Sequence, residues 1–205
     1  MTDRKATIPG PRVRPADNPF ASHRIDALPF RAPGTSLEEL ATRLDAVGGR
    51  AEIVGPEGSG KTTLLEQLAR CLPGEIVLVA LVGPCPDVWR SIDARLPPRI
   101  GPRHTVLVDA AGRLGPSGQL MLRRKTRNAG RLVVTRHRPG RLPTLYHCRT
   151  TPTLLTDLVR ELAPVHVPNL EPGLGELFDR HHGNLRMCLR ELYDRCSEGG
   201  CNLSH

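Results

Sequence analysis

The sequence predicts an α/β fold, a doubly wound and mainly parallel sheet followed by a small all-helical unit. Three observations carry this expectation. Apolar runs of strand length alternate with amphipathic stretches up to residue 150, which implies right-handed crossovers and ligands at the strands' C-terminal ends. The run Glu75 to Val82 is apolar without interruption after its first residue, as expected of a strand covered on both faces. Beyond Thr151 only helical spacing remains, with apolar residues three or four apart.

Taken in order, Met1 to Pro19 is rich in Pro, Arg and Asp without periodicity, so residues 1–19 are expected to form a flexible arm. Phe20, Ile25, Leu28 and Phe30 give the next stretch something to bury, and it is expected to dock on the α/β core near the ligand expected at the strands' C-terminal ends. Ser36 followed by Glu39 has capping-box spacing, and Leu37, Leu40, Leu44 and Val47 form an apolar face that ends at Gly48-Gly49. Ala51 to Val54 reads as a short buried strand, and Thr63 to Arg70 carries leucines at helical spacing.

Further strands are expected at Glu75–Val82, His104–Asp109, Arg131–Thr135 and Leu145–Thr150. Helices are expected at 87–96, with Trp89, and at 116–128, whose face is basic through Arg123, Arg124, Lys125 and Arg127. The helical unit is assigned helices at 154–162, 173–182 and 184–198. The expected division is therefore 1–19 arm, 20–150 α/β core and 151–205 helical lid.

The segment joining Val54 to the following helix is Gly55-Pro56-Glu57-Gly58-Ser59-Gly60-Lys61-Thr62, which fits G-x-x-x-x-G-K-[ST]. The residue types follow from the chemistry. Glycines reach backbone angles closed to other residues, so successive N–H groups can turn inward as an anion-binding nest. The lysine then reaches the β- and γ-phosphates of a nucleotide, the Thr62 hydroxyl holds Mg²⁺, and Thr63 continues the helix whose positive dipole end lies beneath. With a strand before it and a helix after it, the motif has the context it requires. ATP and Mg²⁺ are the expected ligands.

Val106-Leu107-Val108-Asp109 supplies the second expected component, an acid at the end of an apolar strand placed to help hold Mg²⁺. The residues after it are Ala110-Ala111-Gly112, so the carboxylate that commonly polarises the attacking water is missing. Without that base the water step loses the roughly 10²–10⁴-fold that general-base catalysis supplies. Thr135, ending the next strand, is a candidate to orient water or to sense the γ-phosphate, and equally an ordinary strand-terminal threonine. In His182-Gly183-Asn184-Leu185-Arg186, Asn184 is a candidate N-cap, while Arg186 sits in a helix's first turn against the dipole, a placement that suggests a task.

Together these stretches resemble the AAA+ ATPases, and within them the compact initiator and clamp-loader-like branch. The likeness runs from about Leu37 to Cys196 and equates the four elements with Walker A, a degenerate Walker B, sensor 1 and sensor 2. It implies phosphate contact by Lys61, Mg²⁺ at Thr62 and Asp109, γ-phosphate sensing by Thr135 and a lid contact by Arg186. Arg136, Arg138 and Arg141 are candidates for an arginine finger. It also implies ATP hydrolysis, slow for want of the Walker B Glu, with a protein partner or a second copy of the chain as associate.

Two other classes of function fit parts of the sequence. A non-hydrolysing switch or adaptor would bind ATP and present its basic face to a protein or nucleic acid. A small-molecule P-loop kinase would need an acceptor pocket and an arginine-bearing lid inserted within the core, whereas the helices here follow the core. No N-K-x-D is present to read guanine, and Leu114 to Gln119 comes after the strand it would have to precede in an ABC-type ATPase.

The chain has 205 residues, enough for one α/β domain and a small appendage. Its formal charge of +8 and pI near 9.7 suit an anionic partner, yet aromatic residues make up 3%, too few to build stacking platforms for single-stranded nucleic acid. The six cysteines form no C-x-x-C, so neither a zinc knuckle nor a redox pair is indicated and buried or incidental thiols are expected. No apolar run approaches the ~20 residues needed to span a bilayer, and a reducing cytoplasm is the expected compartment.

Overall fold

The computed structural model describes residues 14–81 and 95–198. The first part of the expected arm and nearly all of the expected helix 87–96, with Trp89, lie outside the described residues. Two compact units divide the chain. Pro29–Arg149 forms one, and the segment ending at Leu28 joins the chain from Thr150 onward to form the other.

The first unit is built on a five-stranded sheet: β1 (Arg50–Val54), β2 (Glu75–Ala80), β3 (His104–Asp109), β4 (Arg131–Arg136) and β5 (Thr144–His147). The order is β2-β3-β4-β1-β5 and every pairing is parallel, as the strand-helix alternation requires. The register places Ile53 beside Thr135, Val54 beside Arg136, and Val108 beside Val134. The C-terminal ends of β1, β3 and β4 therefore finish together, which brings Gly55, Asp109 and Thr135 to one edge.

Alternation along the strands feeds two cores. Ala51, Ile53, Leu107 and Val133 join Leu40 and Leu44 of α2 (Leu37–Ala46) and Leu64, Leu65 and Leu68 of α3 (Lys61–Cys71). Those three α3 leucines are fully buried, each contributing about 1.5–3 kcal/mol of hydrophobic stabilisation. On the opposite face Val106, Val108, Leu132 and Val134 meet Leu114 and, from α4 (Pro116–Lys125), Leu122. The α2 capping box forms as expected, with Glu39 N–H donating to Ser36 Oγ at 3.1 Å and Ser36 N–H to Glu39 Oε2 at 3.0 Å.

One strand departs from expectation. β2 is an edge strand, and Ile76 and Leu78 are 37% and 42% exposed, so its apolar run does not mark a strand covered on both faces. An apolar run reports only what a strand can bury; its place in the sheet is decided by long-range pairing.

The second unit contains α1 (Ser22–Asp26), α5 (Pro152–Leu162), α6 (Val167–Arg180) and α7 (Leu185–Ser197). Its core gathers Leu155 and Val159 of α5, Leu174 and Leu177 of α6, and Leu189 and Leu192 of α7. Phe20, 1% exposed, is part of that same core, with Ile25 and Leu28 against it. Asn18 explains the attachment: its Nδ2 donates to Tyr193 O at 2.9 Å and to Ser197 Oγ at 3.0 Å, while its Oδ1 accepts from Phe20 N–H. Residues 20–28, expected with the α/β core, thus pack with the helices, and only Phe30 packs on the α/β core. Helix α6 begins earlier than expected because Pro168 suits a first-turn position, and it carries Pro172 inside. Cys71, Cys148 and Cys188 are free thiols, but Cys196 is disulfide-bonded, which corrects the expectation that it is an incidental thiol.

Candidate functional site

The loop between β1 and α3 is held in one shape by its own atoms. Gly58 and Gly60 take φ of 69° and 83°, angles that favour glycine. Gly55 is fixed by crowding, since a Cβ there would stand 2.7 Å from both Cys148 O and Ser59 Oγ. Pro56 O accepts from Ser59 Oγ at 2.8 Å and from Lys61 Nζ at 2.5 Å, so the lysine curls back across the loop it follows. Lys61 is 9% exposed, an unusual degree of burial for an ammonium group. Pro56 and Glu57 form the exposed crest of the loop.

At the loop's other end, hydroxyls and a carboxylate converge. Thr62 Oγ1 donates to Asp109 Oδ2 at 2.9 Å, and Thr135 Oγ1 donates to Asp109 Oδ1 at 2.6 Å. Thr135 Oγ1 in turn accepts from Ala110 N–H at 2.7 Å. Thr135 is fully buried, and its hydroxyl is satisfied as both donor and acceptor. Residues from three separate stretches, the loop helix, β3 and β4, are thereby joined through one carboxylate.

Ala110 occupies the place where a catalytic Glu would be expected, and its backbone is left-handed at φ 58° and ψ 31°. For a residue with a Cβ that conformation costs roughly 1–2 kcal/mol. It turns the chain sharply out of β3 into the 3₁₀ turn Ala111–Arg113.

Three neighbours of the loop were not singled out as site residues by the sequence. The Phe30 ring lies so close to Gly60 that a Cβ there would come within 3.0 Å of it, and Phe30 N–H donates to Gln67 Oε1 at 3.1 Å. Tyr146 meets Phe30 edge to face at 5.7 Å between ring centroids. Cys148 is fully buried, and burial pushes its thiol up to about 11 despite the opposing charge of Lys61. It is inert packing against the loop, not a nucleophile. The spacing of these residues carries no signal; packing alone brings them together.

Of the remaining expected residues, Thr63 lies in the first turn of α3, and Arg136 N-terminal to the basic loop gives its carbonyl to Gly55 N–H at 3.1 Å. Arg138 and Arg141 are exposed. Arg186 is in the first turn of α7, where Asn184 acts as the expected N-cap, Oδ1 accepting from Met187 N–H at 3.1 Å. The turn before it needs positive φ at His182 (50°) and Gly183 (77°).

The oxygen donors fit a hard divalent cation. Mg²⁺ is ordinarily held by one or two protein oxygens with phosphate and water completing the shell, which a Thr hydroxyl and an Asp carboxylate can supply. Among the described residues there is no cluster of three or more His, Cys, Asp or Glu of the kind that forms a self-sufficient metal cage.

No family model matches the chain, and no curated protein matches it. Solved structures do. The crystal structure of Cdc6p from Pyrobaculum aerophilum is similar with a TM-score of 0.55 and 17% identity, over 88% of this chain and 65% of that one. The RuvB Holliday junction branch migration motor of Thermotoga maritima is 17% identical with a TM-score of 0.47, over 77% of this chain and 60% of that one. The chain thus spans less than two thirds of either. The likeness to Cdc6p, with the parallel sheet order above, establishes the fold as α/β, a five-stranded parallel sheet with flanking helices and further helices after it in the chain. Among the described residues no helix is long and apolar enough to cross a membrane.

Proposed function

We propose that this protein binds ATP with Mg²⁺ in the Gly55–Thr62 loop and belongs functionally with the AAA+ ATPases. The observation that carries the reading is the convergence of Thr62 and Thr135 on Asp109 beside a loop shaped by Gly58 and Gly60. Lys61 exchanges its bond to Pro56 O for the β- and γ-phosphates. Thr62 and Asp109 hold the cation, and Thr135 fixes the Asp109 carboxylate, through which it responds to the terminal phosphate. When bound, Mg²⁺ neutralises charge developing on the phosphates. Backbone N–H groups of residues 57–62 and the α3 N-terminus bind the rest of the anion. Arg186 is assigned a phosphate contact by the AAA+ resemblance.

Ala110 favours a second reading within the same site, a nucleotide-dependent switch that turns over slowly or not at all. The Ala110 methyl contributes no base, and no general base follows in Ala111-Gly112. A partner supplied in trans, by a second protein or another copy, would provide what is missing.

Phosphate release from Mg·ATP separates the two readings. Slow release abolished by Lys61→Ala and Asp109→Asn supports hydrolysis. Tight binding without release supports the switch, and ADP formed without free phosphate, only when an acceptor is added, supports a kinase.

A further inference from the structure

The sheet face opposite α3 carries a cleft that takes no part in the nucleotide reading. It has a volume of about 520 Å³, within the ~300–1,000 Å³ of small-molecule sites. Strands β1 and β4 floor it, and α4 and the chain through Leu142 wall it. Leu114, Leu120, Leu132 and Leu142 make the lining largely apolar, and Leu120 is 51% exposed.

The polar groups in this lining are unbalanced. Besides the neutral Gln119 they comprise four arginines, Arg50, Arg123, Arg136 and Arg141, against one carboxylate, Glu52. Glu52 is already engaged: Oε1 accepts from Gly140 N–H, and Oε2 stands 3.8 Å from Arg136 Nε. That Oε2 is buried and accepts no hydrogen bond, which is uncommon and sets this lining apart from ordinary core. Among the described residues Arg50 donates to neutral acceptors, Thr126 O at 3.0 Å and Thr126 Oγ1 at 3.2 Å. Burial first, and then the like charge of Arg123, hold the Arg50 guanidinium below its ordinary range. Among the described residues neither Arg123 nor Arg141 pairs with a carboxylate.

We propose that this cleft is a second ligand site, taking a small apolar molecule with an anionic head. The head lies between Arg50 and Arg123, where it offsets two like charges, and the body lies on Leu114, Leu120, Leu132 and Leu142. The excess of arginines excludes a cationic ligand. The lining holds no aromatic ring, which argues against stacked bases of nucleic acid.

The test uses the full chain with 1-anilinonaphthalene-8-sulfonate as fluorescent probe and decanoate or decanol as competitor. One saturable site is expected, from which decanoate displaces the probe at about tenfold lower concentration than decanol, because charge-assisted bonds to arginine are strong. Arg123→Glu and Leu120→Asp, both at exposed positions, should each weaken decanoate binding by about tenfold or more, with unchanged circular dichroism. Excess Mg·ATP should leave the probe bound, which separates this site from the nucleotide loop. Absence of saturation, equal competition by decanol, or indifference to both substitutions would overturn the proposal. So would self-association that covers the probe site and is lost in Leu120→Asp, since the occupant would then be another copy of the chain.

Discussion

Asp109 is the residue on which the site turns, because both of its oxygens are engaged by threonine hydroxyls from different elements. Thr135→Val keeps the shape and removes the hydroxyl, stranding Ala110 N–H and one acceptor of Asp109. A loss of about 1–3 kcal/mol in urea unfolding is expected, with weaker Mg²⁺-dependent nucleotide binding. Ala110 gives a cleaner test of backbone strain. Ala110→Gly relieves the left-handed penalty at some entropic expense, so a gain of about 0.5–1 kcal/mol is expected in the same assay. That the loop, Asp109 and Thr135 each stand at a strand end was legible from periodicity and the glycine-rich motif, though Thr135 reads equally as an ordinary strand-terminal threonine; their convergence on one carboxylate depends on strand order, which local patterning does not carry. Phe30 was legible in part, since its stretch was expected to dock near this loop and its ring does lie against Gly60; Tyr146 and Cys148 were not, because no motif spacing links residues brought together only by packing.

At the scale of elements, the α6–α7 corner is fastened by one carboxylate. Glu191 receives Arg180 Nη1 at 2.7 Å, His181 Nε2 at 2.6 Å and Arg195 Nη2. The His181 hydrogen bond chiefly, against the opposing effect of burial, holds the Glu191 carboxyl below 4.5, and Arg195 and Arg180 lower it further. With the folded pKa depressed, its stabilisation is fully present above about pH 4.5 and is lost as pH falls through the folded value. Glu191→Gln should therefore be less stable than wild type at neutral pH, the difference narrowing in urea titrations carried below pH 4.5. Asn184→Ala removes the α7 cap and should cost about 1 kcal/mol. Element types were largely readable because periodicity is local. The edge position of β2 was not, since strand order is set by pairings between distant segments, and neither was the transfer of residues 20–28 to the helices, which depends on Asn18 reaching Tyr193 and Ser197.

For the whole molecule, a parallel sheet gathers its strand ends at one edge, and the loop, Asp109 and Thr135 meet there as a consequence of topology. Arg186 takes its expected role from the AAA+ resemblance alone; Arg186→Ala should weaken Mg·ATP binding without lowering thermal stability in its absence. Ligand that binds only the folded state raises stability by about 2.7 kcal/mol at 100 times its Kd, which makes the melting temperature a direct report of binding. The decisive measurement is thermal unfolding with and without saturating Mg·ATP, for wild type and Lys61→Ala. A rise of several degrees in wild type that is absent in Lys61→Ala is expected. No shift in wild type with any magnesium nucleoside triphosphate, or the same shift in both proteins, would contradict nucleotide binding at the Gly55–Thr62 loop.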